Sequence, residues 1–242
     1  MNRIFLFVLT ACIVMNGSTF SQTGNTGLSF LKIGIGGRAL AMGEAYVAAA
    51  NDPAATFYNP AALSRSADFQ ILLMHKEWIQ DMKTEFIGAA ASWGDFRFGL
   101  SVNSTNISNL ELRIKPGDPL GLFSVHYASI GLSSSYLVDS NLSFGMTGKF
   151  LYEKIFVDEA SGFAVDLGGK YKSPWNVLIG LAVNNLGKMN PLLYESTKLP
   201  VSVRAGVAYP LYISSMDANL LIASDVVSFT GEKKTHFEAP TA

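Results

Sequence analysis

The chain has 242 residues, of which 49% are hydrophobic and only 15% charged, with a formal net charge of −1. Soluble domains carry roughly 25% charged residues, so part of this surface is expected to face something other than water. No basic stripe offers a footprint for nucleic acid, and no charge excess steers an acidic substrate.

The N-terminus reads as a signal peptide over residues 1–21. Asn2 and Arg3 give a short basic region, Ile4 to Met15 an apolar core, and Thr19-Phe20-Ser21 a small-x-small cleavage site before Gln22. The mature chain is therefore expected to be exported. Leu9-Thr10-Ala11-Cys12 has the form of a lipoprotein box, the weaker alternative, because cleavage there leaves a very short apolar run in front and Ile13-Val14-Met15 behind. Removal of Cys12, the single cysteine, leaves no disulfide, thiolate metal site or Cys nucleophile in the mature protein. No later stretch approaches the roughly 20 apolar residues of a transmembrane helix, so a membrane protein built from this sequence has to be a β-barrel.

Residues 22–67 differ in character from the rest of the chain. "RALAMGEAYVAAA", residues 38–50, is rich in helix formers, with Leu40, Ala41, Ala45 and Ala48 at helical spacing, and predicts a helix weakened by Gly43. In "DPAATFYNPAAL", residues 52–63, Asp52-Pro53 is expected to stop that helix, Tyr58-Asn59-Pro60 to make a second rigid turn, and Ala61 with its alanine neighbours to allow close packing. The segment is too polar to span a membrane and reads as a plug, or hatch, inside a lumen.

From Asp68 onward the sequence alternates with period two, a strand signal, over about nine segments. Phe96, Phe98, Leu100 and Val102 stand against Arg97, Gly99, Ser101 and Asn103. Leu142, Phe144, Met146, Phe150 and Tyr152 stand against Ser143, Gly145, Thr147, Lys149 and Glu153. Phe163, Val165, Leu167 against Ala164, Asp166, Gly168, Lys170 repeats it. So do Ile179, Leu181, Val183 and then Val201, Val203, Val207 against Ser202, Arg204, Gly206. Tight turns at 94–95, 139–141, 173–176 and 214–217 alternate with longer links, notably 107–123 and 187–199, as in an up-and-down barrel with short turns at one rim and larger loops at the other. Trp78, Trp93, Trp175, Tyr171, Tyr209 and Tyr212 fall near predicted strand ends, where interfacial aromatics belong. A soluble β-sandwich also alternates, but its second face is normally covered by Lys, Glu and Thr, whereas here that face is Gly, Ser and Ala with isolated charges.

The segment "GLSFLKIGIGGRALAMGEAYVAAANDPAATFYNPAAL", residues 27–63, resembles the N-terminal signature of the PorV/PorQ family of outer-membrane proteins, within the FadL-like barrel superfamily. Asn59-Pro60-Ala61 matches that signature's end, and "LLMHKEWIQDMKTEFIGAAASWG", residues 72–94, resembles its first hairpin. The resemblance implies an all-β antiparallel transmembrane barrel of about fourteen strands, with a lumenal helical hatch. It further implies one of two functions. PorV-type members serve type IX protein secretion, contacting a translocon and exported proteins; FadL-type members pass long-chain fatty acids or other hydrophobic molecules. A purely structural outer-membrane barrel is a third reading. Residues 68–242 hold only nine to ten strands, and "GEKKTHFEAPTA" loses its alternation at Pro240, which reads as a C-terminal truncation.

No catalytic constellation is expected. His75, His126 and His236 are far apart, no Ser-His-Asp set or metal-ligand spacing can be assembled, and the glycines of "IGIGGRALAMG" follow no βαβ unit, so neither an enzyme nor a cofactor is predicted. If the apolar set faces outer-membrane lipid, then Arg97, Lys149, Glu153, Asp166, Lys170, Arg204 and Asp225 face the lumen, where mixed charges can hold the plug or simply remain hydrated. The loop residues within "LELRIKPGDPLGLF", 110–123, are expected to meet a protein partner or to pack over the mouth.

Overall fold

The computed structural model describes residues 26–214 and 216–230. The predicted signal peptide, Cys12, His236 and the expected tenth strand lie outside these residues. The described residues form nine strands: β1 (Phe69–Glu77), β2 (Met82–Trp93), β3 (Phe96–Leu112), β4 (Gly121–Leu137), β5 (Leu142–Ile155), β6 (Asp158–Lys172), β7 (Leu178–Met189), β8 (Ser202–Ile213) and β9 (Ala218–Phe229). They pair antiparallel in chain order as one sheet, β1 and β9 being its edges, and the sheet curls into a half-barrel.

Burial on this sheet is inverted relative to a water-soluble fold. On the outer face Leu73, Ile87, Val102, Ile130, Phe150 and Phe163 stand side by side in one register row, and Leu73 and Phe163 are about 70% exposed. The inner face is small and polar, and it is the buried one, with Ser133, Ser143, Thr147 and Asp166 almost fully covered. Pairs of hydroxyls satisfy one another across it, Thr84 with Thr105 at 2.9 Å and Ser133 with Thr147 at 2.7 Å. The two-residue alternation thus sorts the faces as the sequence predicts, with polar residues inward.

Strand ends differ from the sequence reading. The link 107–123 shrinks to 113–120, because the alternation continues through Leu112 on β3 and resumes at Gly121 on β4, across a bulge between Ile107 and Leu110. The link 187–199 becomes 190–201, tied internally by a bridge between Pro191 and Ser196. At the same rim β5 and β6 join through only two residues, Phe156, held at φ 59°, and Val157. Long and short links therefore do not alternate strictly. At the opposite, short-turn rim, Asp139 receives the Asn141 and Leu142 N–H groups at 2.6 and 2.9 Å, which closes the turn and holds its carboxyl below the usual range.

The segment before β1 lies in the curl. It holds a 3₁₀ turn (Ser29–Lys32), helix α1 (Gly37–Ala41), helix α2 (Ala55–Tyr58) and a 3₁₀ helix (Pro60–Arg65). The helix expected over 38–50 is confined to α1. Gly43 and Glu44 both take positive φ, 62° and 63°, and turn the chain before the alanines are reached. Asp52-Pro53 therefore ends no helix; it starts one, with Asp52 accepting the Ala54 N–H at 3.0 Å just ahead of α2. Asn59 is extended and Pro60 opens the next helix, giving the corner that the sequence predicts.

Candidate functional site

The hatch runs the depth of the curl. Near the long-loop rim Gly27 donates to the Lys198 carbonyl at 3.0 Å and Phe30 stacks on Tyr127, ring centroids 5.4 Å apart. At the short-turn rim Arg65 donates to the Ser140 carbonyl. Between these points Tyr46, Tyr58, Ile35 and Leu63 have almost no exposed surface. Burying a large apolar side chain contributes on the order of 1.5–3 kcal/mol, so this packing is the main stabilisation of the hatch.

Close approach of two backbones requires a wall without side chains, and inward glycines supply it. A Cβ on Gly145 would come 2.4 Å from the Ala61 nitrogen, and one on Gly180 2.5 Å from the Val47 carbonyl oxygen. One on Gly168 would come 2.1 Å from Asn59 Oδ1, and one on Gly206 2.5 Å from Val47 Cγ1. Such distances are sterically forbidden, so these four positions form a bed shaped to the hatch.

Asn59 fixes the corner on this bed. It is fully buried; its Nδ2 donates to the Val47 carbonyl at 2.9 Å and to the Gly169 carbonyl at 3.1 Å, and its Oδ1 accepts the Ala61 N–H at 3.1 Å. Ser64, Ser135 and Ser143 complete the anchorage through the Ala61 carbonyl, at 2.8 to 3.1 Å. Tyr58 OH donates to the Ile35 carbonyl and accepts the Ile35 N–H, both at 3.1 Å. Tyr46 OH donates to Asp52 at 2.6 Å. Burial, aided by the nearby Asp52 and Glu44 carboxylates, pushes both phenols well above their ordinary range.

The seven charged residues read from the sequence fall into two groups and two single residues. Lys170, Arg204 and Asp225 grip the hatch directly. Lys170 Nζ donates to the Ala50 carbonyl at 2.6 Å, Asp225 Oδ2 accepts the Tyr46 and Val47 N–H groups at 2.7 Å each, and the Arg204 guanidinium lies over the Tyr58 and Phe57 rings at 5.4 and 6.0 Å. Lys149 and Asp166 form a buried pair at 2.6 Å and both hold Asn185 on β7, and Lys149 Nζ also lies 5.9 Å from the centroid of the Phe57 ring on the hatch. Glu153 accepts from Thr197 of the long-loop rim. Arg97 is apart from the rest, bonded to the Gly94 and Phe96 carbonyls at the short-turn rim. In the corner motif, Asp52 and Tyr58 bond within the hatch and Asn59 also reaches the wall, while Pro53 and Pro60 start helices and Ala61 touches the wall.

Sequence reasoning missed Asn184 and Asn185. Asn185 has φ 63° beside the irregularity between Val165 and Leu167, and its Nδ2 reaches the Pro200 carbonyl at 3.1 Å. Asn184 reaches the Phe57 carbonyl at 3.3 Å. The signal was an Asn-Asn pair followed by Leu-Gly inside a strand pattern, which marks a bulge. Among the described residues no three His, Cys, Asp or Glu side chains gather to hold a metal ion, and no helix is long and apolar enough to cross a membrane.

The arrangement defines a class: a curled antiparallel wall, apolar outside and polar inside, filled by its own N-terminal segment. The chain belongs to the Uncharacterised protein family UPF0164, whose family model matches residues 8–164. That span includes the hatch and the wall through β5 and part of β6. No curated protein and no solved structure matches the chain.

The glycine bed predicts a contrast. Gly180→Ala forces the hatch backbone away and should cost about 1–3 kcal/mol in denaturant unfolding, the usual penalty of overpacking. Gly148→Ala, on the outer face with open space around it, should change stability little. Equal effects would show that the bed does not seat the hatch.

Asn59→Asp predicts a larger loss than Asn59→Ala. It sets a carboxylate against the Val47 and Gly169 carbonyls, whereas Ala merely leaves them unbonded at about 1–3 kcal/mol. Thermal unfolding of the two variants orders them.

The phenols give a pH dependence. Because Tyr46 and Tyr58 ionise above the ordinary phenol value in the folded state, their contribution is fully present below that value and is lost as pH rises through and beyond it. Absorbance at the tyrosinate band should show a late-ionising set that includes Tyr46 and Tyr58 and ends together with release of the hatch. Tyr46→Phe should lower the number of phenols in that set by one.

Proposed function

We propose that the chain is an outer-membrane β-barrel protein resembling PorV/PorQ, serving type IX secretion as an accessory or substrate shuttle through protein contacts at its long-loop rim. The kinship with that family and export behind a cleaved signal peptide are parts of the same proposal. The observation that carries it is the distribution of exposed apolar side chains along the wall.

On β5 the outer face is apolar from Leu142 to Tyr152. At ~3.3 Å per residue and a tilt of about 40°, this span rises roughly 25 Å, the height of an outer-membrane apolar band. Toward the long-loop rim it gives way to a polar row, Glu77, Lys83, Asn106, His126, Lys154 and Glu159. At the short-turn rim it ends in aromatics, Trp93, Phe96, Tyr136 and Phe144 sharing one row. Such a face suits lipid bounded by headgroups. Beyond the polar row a second apolar set reappears in the loops, Ile114 at 84% and Tyr194 at 94% exposed, with Leu120 and Leu193. Apolar side chains held out on loops past the polar collar fit a protein partner. The filled curl supports the rim, rather than the lumen, as the working surface.

A second reading, passage of hydrophobic solutes as in FadL-type proteins, is favoured by one feature. A cavity of about 300 Å³ opens at the long-loop rim over Met189 and Leu199, with Lys188 and Lys198 at its border. Its size and apolar floor suit a small amphiphile.

The test is affinity capture of the full-length protein from native outer membranes. Co-purification of a very large translocon barrel and of exported proteins, lost in Ile114→Asp/Tyr194→Asp while the protein still assembles, is the expected result. Assembled protein that brings down no translocon, yet binds a long-chain fatty acid in a manner abolished by Met189→Lys, would replace the first reading with the second. The lipid-facing assignment is checked separately. Leu132→Arg, at mid-band on the outer face, should destabilise membrane assembly by about 2–4 kcal/mol, the depth-dependent cost of a cation at the bilayer centre.

A further inference from the structure

Arg204 is a buried cation that makes no salt bridge among the described residues, although the Asp225 carboxylate is near enough for the two charges to attract. It is 3% exposed and its Nε makes no hydrogen bond. Its contacts are the faces of Phe57 and Tyr58, both on the hatch. A guanidinium cannot shed its proton, and aromatic faces replace only part of its hydration.

Asp225 on the neighbouring strand is the complementary case. Its Oδ2 takes two hatch N–H groups, while its Oδ1 is buried and unbonded. The register sets Arg204 opposite Val227 and Asp225 opposite Gly206, so the two charges are diagonal neighbours on the same inner face of β8 and β9. Diagonal positions lie within reach of a long side chain. The missing side chain at Gly206 lets the Asp225 carboxylate lean over β8, where a Cβ would stand 1.8 Å from Oδ1. The seated hatch holds the cation through two rings and the anion through two backbone amides.

We propose that Arg204 and Asp225 form a charge-exchange latch: each is held by the hatch while it is seated, and they pair with each other when the segment around Tyr46–Tyr58 lifts from the wall. Release then leaves neither charge bare in the lumen. Lys149 and Asp166, already paired at 2.6 Å, keep their partner in both states and take no part in the exchange. A free oxyanion captured by Arg204 is the competing use of this cation, and the carboxylate leaning toward it from β9 disfavours that use. The latch operates whether or not the protein serves secretion.

The latch predicts a sign in a double-mutant cycle. Hydrogen exchange of the hatch peptide containing Tyr46 and Val47 is followed in the full-length protein for wild type, Arg204→Gln, Asp225→Asn and the double variant. Asp225→Asn should speed exchange about tenfold, through loss of hydrogen bonds to a charged acceptor. Arg204→Gln should speed exchange several-fold in the Asp225→Asn background but change it little, or slow it, when Asp225 is present, because it then also removes the partner that stabilises the released state. The same factor in both backgrounds would mean that Arg204 only stacks on the hatch, and a larger factor with Asp225 present would mean that the charges already cooperate while it is seated. Either result overturns the latch. Wild-type protein keeps the question decidable if a variant fails to assemble. Inorganic phosphate should leave hatch exchange where sodium chloride of equal ionic strength leaves it, and a specific slowing by phosphate would assign Arg204 to an external oxyanion instead.

Discussion

Everything inside the curl depends on how closely two backbones approach. The hatch carries its own carbonyls and amides through a space with few solvent partners, and each must find an acceptor or donor on the wall. That is possible only where the wall presents backbone and short side chains. Gly145, Gly168 and Gly180 open the bed, and Ser135, Ser143 and Asn59 then bond across it. Larger residues on the inner face would leave the same peptide groups buried and unbonded. The low charge content of the chain follows from the same geometry, since its outer face is apolar and the segment that fills the inner face carries few charged side chains, Lys32, Arg38, Glu44, Asp52 and Arg65.

Charge enters where peptide groups alone leave something unsatisfied. Lys170 meets the Ala50 carbonyl and Asp225 meets two adjacent N–H groups at the start of the alanine run. The two bonds to Asp225 replace those that the Tyr46 and Val47 N–H groups would have made to the preceding turn of a continuous helix, while a single turn survives beyond them, the Ala50 N–H donating to the Tyr46 carbonyl at 2.9 Å. The loss of that helix and the presence of these charges on the wall are therefore linked. A segment that folded on itself would need neither.

The legible part of the structure was the part with a period. Strand existence and facing follow from alternation, and the inward position of Lys149, Asp166 and Arg204 follows from parity within β5, β6 and β8. Strand ends were less legible, because Ser, Asn and Thr in 103–109 satisfy both a loop and a polar-faced strand. The hatch was legible as a separate segment and at its Asn59-Pro60 corner, where proline chemistry is local. Its helix was not. Helix propensity over 38–50 was overridden by contacts from residues almost 180 positions later, such as Tyr46 N–H with Asp225. The pairing of Asn185 with Asp166 and Lys149 was likewise hidden, because it needs the β6–β7 irregularity to bring the three together.

The hatch also bears on the two strands that, among the described residues, have a neighbour on one side only. β1 and β9 are the sheet edges, and with nine strands in antiparallel order both run from the short-turn rim to the long-loop rim. Two edges pointing the same way cannot pair antiparallel with each other. The hatch reaches both from inside: Lys76 on β1 donates to the Gly34 carbonyl at 3.1 Å, while Asp225 on β9 holds Tyr46 and Val47. Lys32 lies over the Phe229 ring at the end of β9, 5.1 Å from its centroid. One short stretch, residues 32–47, therefore ties the first strand to the last, so seating the hatch and holding the curl of the wall are a single mechanical event. Loosening the grip of Asp225 frees the edge of the sheet together with the hatch.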